Sequence, residues 1–72
     1  MFNLPAFIEQ MLGCSKTEAK RLITQGAIKI NNIQTKSFYL EEIPLYIQIG
    51  KGRFYQIEGM IAYQLNKKPE TH

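Results

Sequence analysis

The stretch that decides the fold runs from Gly13 to Asn32 and reads GCSKTEAKRLITQGAIKINN. Ser15 and Glu18 have the spacing of a capping box, in which the hydroxyl accepts the N3 amide and the carboxylate reaches back to the cap. Gly26 predicts the end of the helix, because glycine readily adopts the left-handed conformation that follows many helices. We therefore predict a helix between Ser15 and Gly26.

This predicted helix has one apolar face and one basic face. At about 100° per residue, Ala19, Leu22 and Ile23 share the apolar face. The opposite face consists of donor-bearing side chains: Lys16, Thr17, Lys20, Arg21 and Thr24. We expect the cap to occupy the Glu18 carboxylate, which leaves these cations largely unopposed. The N-terminus of a helix also attracts anions.

A second apolar stripe precedes this helix at the same period. It consists of Leu4, Phe7, Ile8, Met11 and Leu12 and predicts a helix over residues 2–12. Asn3 is a suitable N-cap, Pro5 fits the first turn, and Phe2 and Phe7 have the spacing of a hydrophobic staple. Gly13 predicts the helix end. The two helices then form an αα-hairpin with a very short turn, in which Cys14 is expected to be buried.

After Gly26 the apolar period changes to two, which is typical of strands. Ile28 and Ile30 predict a strand that ends at the turn dipeptide Asn31-Asn32. We expect another strand within Ile33–Leu40, around residues 38–40. The alternation of Leu45, Ile47 and Ile49 predicts a half-buried strand, and the turn Gly50-Lys51-Gly52 leads to a returning strand over Arg53–Ile57.

The predicted fold class is therefore α+β, with an N-terminal αα-hairpin packed on a small, mostly antiparallel β-sheet. We expect one domain over residues 1–58. Residues 59–72 fit neither period and are expected to form a partly flexible C-terminal extension, frayed from Asn66 onward.

The composition excludes several classes of protein. The single cysteine allows no internal disulfide, and with His72 at the terminus it cannot complete a metal site. No apolar run approaches the about 20 residues that span a bilayer. We see no signal peptide and expect a cytoplasmic protein. The sequence offers no paired nucleophile and base, so we expect no enzymatic activity, no cofactor, no small-molecule substrate and no membrane partner.

The basic residues favour a nucleic-acid partner. The formal net charge is +3, and four of the cations lie between Lys16 and Lys29, with Lys51 and Arg53 in the hairpin turn. Lysine and arginine contacts to phosphates would make such binding strong and sensitive to salt. Polar side chains such as Ser15, Thr17, Gln25 and Asn31 would fix the register on the backbone.

The segment from Leu4 to Asn32 resembles the S-four RNA-binding domain, which occurs in a small-subunit ribosomal protein, in pseudouridine synthases and in bacterial-type tyrosyl-tRNA synthetases. The matching positions are Ser15-Lys16, Ala19-Lys20-Arg21, Ile23, Gly26, Ile28, Ile30 and Asn31. Residues 47–57, with the run Gly50-Lys51-Gly52-Arg53-Phe54, look like the terminal hairpin of the carboxy-terminal domain of tyrosyl-tRNA synthetase.

This resemblance implies a tRNA-binding module that contacts tRNA near the anticodon stem and the long variable arm. The RNA-binding residues that it implies are Ser15, Lys16, Lys20, Arg21, Gln25, Lys29, Asn31, Lys51 and Arg53. A synthetase catalytic domain does not fit in 72 residues, so we expect either an excised domain or a free-standing relative.

Two alternatives stay open. The first is a free-standing S-four protein that binds ribosomal RNA or peptidyl-tRNA on a ribosomal subunit. The second is a protein–protein interaction module that uses Phe38, Tyr39, Tyr46 and the apolar tail as its contact surface. A salt titration separates RNA binding from protein binding, because electrostatic binding to phosphates weakens steeply as salt rises.

Overall fold

The computed structural model describes residues 1–69, which form two helices and seven strands. The helices are α1 (Leu4–Leu12) and α2 (Lys16–Thr24). The strands are β1 (Phe2–Asn3), β2 (Ile28–Ile30), β3 (Ile33–Gln34), β4 (Tyr39–Leu40), β5 (Tyr46–Ile49), β6 (Arg53–Glu58) and β7 (Ile61–Leu65). Every pair of strands within residues 1–69 is antiparallel. The predicted α+β fold with a leading helical hairpin is confirmed.

Helix α1 begins two residues later than predicted. Asn3 is its N-cap, with the side-chain oxygen accepting from the Ala6 amide at 3.0 Å. Phe2 lies outside the helix because its backbone pairs with Leu40 in a two-stranded sheet formed by β1 and β4. The staple contact is present, with the ring centroids of Phe2 and Phe7 5.7 Å apart. At the other end Gly13, at φ 67°, terminates the helix as predicted.

Helix α2 has both of its predicted ends. The Ser15 hydroxyl accepts from the Glu18 amide at 3.1 Å. At the C-terminus the Gly26 amide donates to the Ile23 carbonyl and the Ala27 amide to the Leu22 carbonyl, both at 3.0 Å. This pair of bonds is the Schellman motif, which requires a left-handed residue, and Gly26 adopts φ 79°.

The larger sheet has the strand order β3-β2-β5-β6-β7. Both helices pack on its inner face, where the side chains that alternate inward form one core. The core residues are Leu4, Ile8, Ala19, Ile23, Ile28, Ile47, Ile49, Tyr55 and Ile57. Neither helix of the described chain is long and apolar enough to cross a membrane.

Two strand predictions need correction. The strand expected around residues 38–40 is present as β4, but Ile33 and Gln34 form a separate strand, β3, which pairs with β2 through the Asn31-Asn32 turn. Leu45 does not belong to the buried side of β5, because it lies outside that strand and is 62% exposed. Its amide donates to the Asn31 side chain instead of to a neighbouring strand.

The sheet continues beyond Glu58, where the sequence predicts no element. Strand β7 pairs with β6 over five positions, from Phe54 opposite Leu65 to Glu58 opposite Ile61. The inward positions of β7 are Ala62 and Gln64, whereas its residues that face away from the core are large. The strand therefore inverts the usual alternation, in which large apolar residues face the core. The fraying predicted from Asn66 onward includes residues 70–72, which lie outside the described residues.

Candidate nucleic-acid interface

The outer side of α2 is the predicted basic face. Lys16, Arg21 and Thr24 are exposed, and Lys20 is half-buried. On the opposite side Ala19 and Ile23 are fully buried in the core. The predicted division of the helix into an apolar and a basic face is therefore confirmed, and the Schellman and N-cap contacts hold its backbone at both ends.

The contact made by the Glu18 carboxylate differs from the one that the capping box predicts. Its carboxylate does not reach back to the cap. It lies 2.8 Å from the Arg21 guanidinium, one turn further along the helix. Both side chains are substantially exposed, at 40% for Glu18 and 59% for Arg21, so the pair contributes about 0–1 kcal/mol. A phosphate can therefore compete for Arg21, which retains further donors in its guanidinium fork.

Lys20 is positioned by an aromatic ring. Its ammonium nitrogen lies 5.6 Å from the centroid of Phe38, within the range of a cation–π contact. Phe38 packs against the core, and its carbonyl accepts from the Leu4 amide at 3.0 Å. The prediction that Lys20 points away from the core thus needs refinement, because its ammonium lies over the ring of Phe38, which packs against the core.

Lys36 is an exposed cation, not indicated by the sequence motifs, in a segment whose neighbours Gln34 and Phe38 contact the region of α2. One contact on each side of Lys36 connects this segment to α2 or to the turn that follows it. The Gln34 side-chain amide donates to the Gly26 carbonyl at 2.7 Å, and Phe38 lies under Lys20. The polar run Thr35-Lys36-Ser37 is the available sequence signal, but nothing in it indicates proximity to α2.

The β5–β6 turn lies beside the C-terminal end of α2. The Gly50 amide donates to the Ala27 carbonyl at 2.8 Å, which joins the turn to the chain just after the helix. Lys51 and Arg53 are exposed on this hairpin, and Gln25 is exposed at the helix C-cap. The structure therefore brings these three predicted site residues to the same end of α2.

Two other predicted site residues do not lie on the α2 face. Lys29 alternates with the buried Ile28 and so lies on the face of the sheet opposite the helices. Asn31 has a role within the fold. Its side-chain oxygen accepts from the Leu45 amide at 3.0 Å and from the Tyr46 amide at 2.9 Å, which leaves only its NH₂ group for a ligand.

Cys14 is half-buried in the turn between the helices, where its sulfur lies 4.0 Å from the Ile8 carbonyl oxygen. Within residues 1–69, no three histidine, cysteine or acidic side chains form a group that could hold a metal ion. The donors gathered around α2 are thus cations, hydroxyls and amides, which is the set that contacts phosphates and sugars.

Part of the chain matches the model of a known protein family. Residues 3–37 match the S4 domain, the S-four domain that the sequence resembles. The match covers both helices, Asn3 of β1, strands β2 and β3 and the loop that carries Lys36, and is just under half of the chain. The S4 domain is in general an RNA-binding module. No curated protein and no solved structure matches the chain.

Proposed function

We propose that this chain is a non-catalytic module that binds tRNA through the basic face of α2 and the β5–β6 turn. The observation that carries the proposal is the exposed cationic face of α2 within the segment that matches the S4 domain. The residues of this interface are Ser15, Lys16, Lys20, Arg21, Gln25, Lys36, Lys51 and Arg53.

The electrostatics of α2 favour a phosphate ligand. Lys16 is the first helical residue, next to the positive end of the helix dipole. Arg21 is opposed by a single exposed carboxylate that a phosphate can replace. Lys20 is ordered by Phe38, so less side-chain entropy is lost when its ammonium binds. These side chains offer a preorganised set of contacts to an RNA backbone.

The hairpin favours tRNA over other RNA. The motif that looks like the terminal hairpin of a tyrosyl-tRNA synthetase corresponds to β5, the turn at residues 50–52 and β6. Its two cations, Lys51 and Arg53, lie next to the end of α2. The hairpin and the basic face of α2 can therefore contact the same folded RNA. We therefore propose a role as the carboxy-terminal tRNA-binding domain of such a synthetase.

The basic face is tested by neutralising two of its cations. We expect Lys20→Gln combined with Arg21→Gln to weaken tRNA binding and to lower the slope of log K against log salt by about 2, measured by fluorescence anisotropy. Ala6→Glu combined with Gln10→Glu is the matched control, since it changes the net charge equally at exposed positions of α1. Equal losses for the two variants would contradict an interface on α2.

The identity of the RNA is tested with transcripts. We expect a tyrosine tRNA with its long variable arm to bind more tightly than the same transcript without the arm. Lys51→Ala with Arg53→Ala should reduce this difference. Tighter binding to a ribosomal RNA helix than to either tRNA would favour the free-standing ribosomal alternative.

A second candidate function is contact with a protein. An apolar groove of about 570 Å³ lies between α1 and the β6–β7 turn, where Phe7, Met11 and Met60 contribute to its lining. Met60 is fully exposed and Ile61 is 57% exposed. Phe38 does not join this surface, because it packs on the core beneath Lys20. A partner bound in this groove would show little dependence on salt.

A further inference from the structure

A second surface lies on the face of the five-stranded sheet that points away from the helices, and we name it the outer platform. Its residues are Lys29, Tyr46, Gln48, Phe54, Gln56, Tyr63 and Leu65. They form two rows across neighbouring strands. One row contains Lys29, Gln48, Phe54 and Leu65, and the other contains Tyr46, Gln56 and Tyr63. Neither α1 nor α2 covers this face.

The outer platform carries aromatic and aliphatic side chains, whereas the solvated face of an antiparallel sheet usually carries polar ones. Strand β7 directs Tyr63 and Leu65 outward, and Tyr63 remains 46% exposed. Phe54 and Tyr46 are half-buried on the neighbouring strands. Aromatic side chains gathered on an exposed surface mark a contact site more often than scattered apolar residues do.

One edge of the outer platform is cationic. A groove of about 640 Å³ runs between Tyr46, Gln56, Leu65 and the segment over residues 66–69. Lys67 and Lys68 are exposed along it, and no carboxylate occurs among the described residues that line it. A ligand with planar rings and negative charge complements this combination of tyrosine, amide and lysine side chains.

We propose that the outer platform binds an unpaired RNA strand. Bases stack on Tyr46 and Tyr63, whose backbones are about 10 Å apart because one strand lies between them. The Gln56 amide lies between the two tyrosines and offers a donor and an acceptor to a base edge. Lys67 and Lys68 contact the phosphates of the same strand. Stacking of this kind tolerates different bases, since every base has a π-face.

This second site rests on the proposed RNA-binding function and extends it. The basic face of α2 offers mainly cations and suits the phosphates of folded RNA. The outer platform offers aromatic rings and suits bases that are not paired. Lys29, which the structure separates from the α2 face, belongs to this second site.

The experiment compares two exposed tyrosines with a labelled oligouridylate of about ten nucleotides as the probe. We expect Tyr63→Ala to weaken binding about tenfold, by loss of one stacked base. Tyr63→Phe should bind normally, because the ring is kept. Tyr39→Ala is the matched control, since Tyr39 is 56% exposed but lies in β4, in the other sheet. Lys67→Gln with Lys68→Gln should lower the salt slope by about 2.

The outcomes separate this inference from the proposed function. If the wild-type protein binds neither tRNA nor the oligouridylate, RNA binding itself is wrong. A second outcome is that the double variant Lys20→Gln with Arg21→Gln weakens tRNA binding, while Tyr63→Ala and Tyr39→Ala bind the oligouridylate with equal affinity. In that case only the outer platform is overturned. If the wild-type protein is a dimer and Tyr63→Ala makes it monomeric, the outer platform is the interface between two copies of the chain, and the proposal is overturned. If Tyr63→Ala unfolds, an unchanged salt slope in the double lysine variant overturns it.

Discussion

Ser15 and Asn31 lie at the two ends of the segment that decides the fold, and both side chains accept backbone hydrogen bonds. Ser15 accepts from an amide three residues ahead. Asn31 accepts from amides 14 and 15 residues ahead, across the sheet. The first contact follows from local spacing, whereas the second depends on how the strands pair. A polar residue can thus look like a ligand-binding residue in the sequence and serve the fold in the structure.

The same difference separates the two proposed binding surfaces. The basic face of α2 arises from the helical period within one short segment. The outer platform arises from four strands whose residues meet only through the register of the sheet. Three substitutions, in order of decreasing expected effect, test how far local and long-range contacts differ in their contribution to stability.

The largest effect is expected at Asn31. Asn31→Ala removes the acceptor of two backbone amides and leaves an alanine at φ 50°, a conformation that asparagine tolerates better. We expect a loss of about 2–3 kcal/mol in the free energy of unfolding, measured by urea denaturation. Asn31→Asp keeps the acceptor oxygen and is the control. Equal stability of the alanine variant and the wild type would mean that these bonds contribute little.

An intermediate effect is expected at Gly26. Gly26→Ala forces a side chain into φ 79° and brings its Cβ against the Gln34 amide, which would then lose its bond to the Gly26 carbonyl. We expect a loss of about 1–2 kcal/mol. Gly52→Ala is the matched control, because Gly52 has no positive φ and an added Cβ would meet no atom within 4 Å. A greater loss at Gly52 than at Gly26 would contradict this account of the helix end.

The smallest effect is expected at Ser15. Ser15→Ala removes the N-cap of α2, and we expect a loss of about 1 kcal/mol in the same urea measurement. Ser15→Asp restores an acceptor at the cap and should recover this stability. A loss at Ser15 that exceeds the loss at Asn31 would reverse the comparison between local and long-range contacts.

Prediction from the sequence mostly succeeded where the signal is local, although the Glu18 carboxylate pairs with Arg21 instead of the cap and α1 begins two residues late. The caps of both helices, the Asn31-Asn32 turn and the β5–β6 hairpin all follow from spacing and from residues that favour a given backbone conformation. It failed for β7, because that strand presents small or polar residues to the core and large ones outward. It also missed Lys36, whose nearness to α2 depends on contacts made by Gln34 and Phe38.

The sequence by itself determined the helical hairpin, the basic face of α2 and the resemblance to an RNA-binding family, because each depends on residues close together in the chain. Only the tertiary structure decided which cations share a surface. Strand register moved Lys29 to the outer platform. The pairing of β2 with β5, together with the bond from the Gly50 amide to the Ala27 carbonyl, brought Lys51 and Arg53 to the end of α2. The physical reason is that side chains alternate between the faces of a sheet, so a residue's surface is fixed by pairing with distant strands.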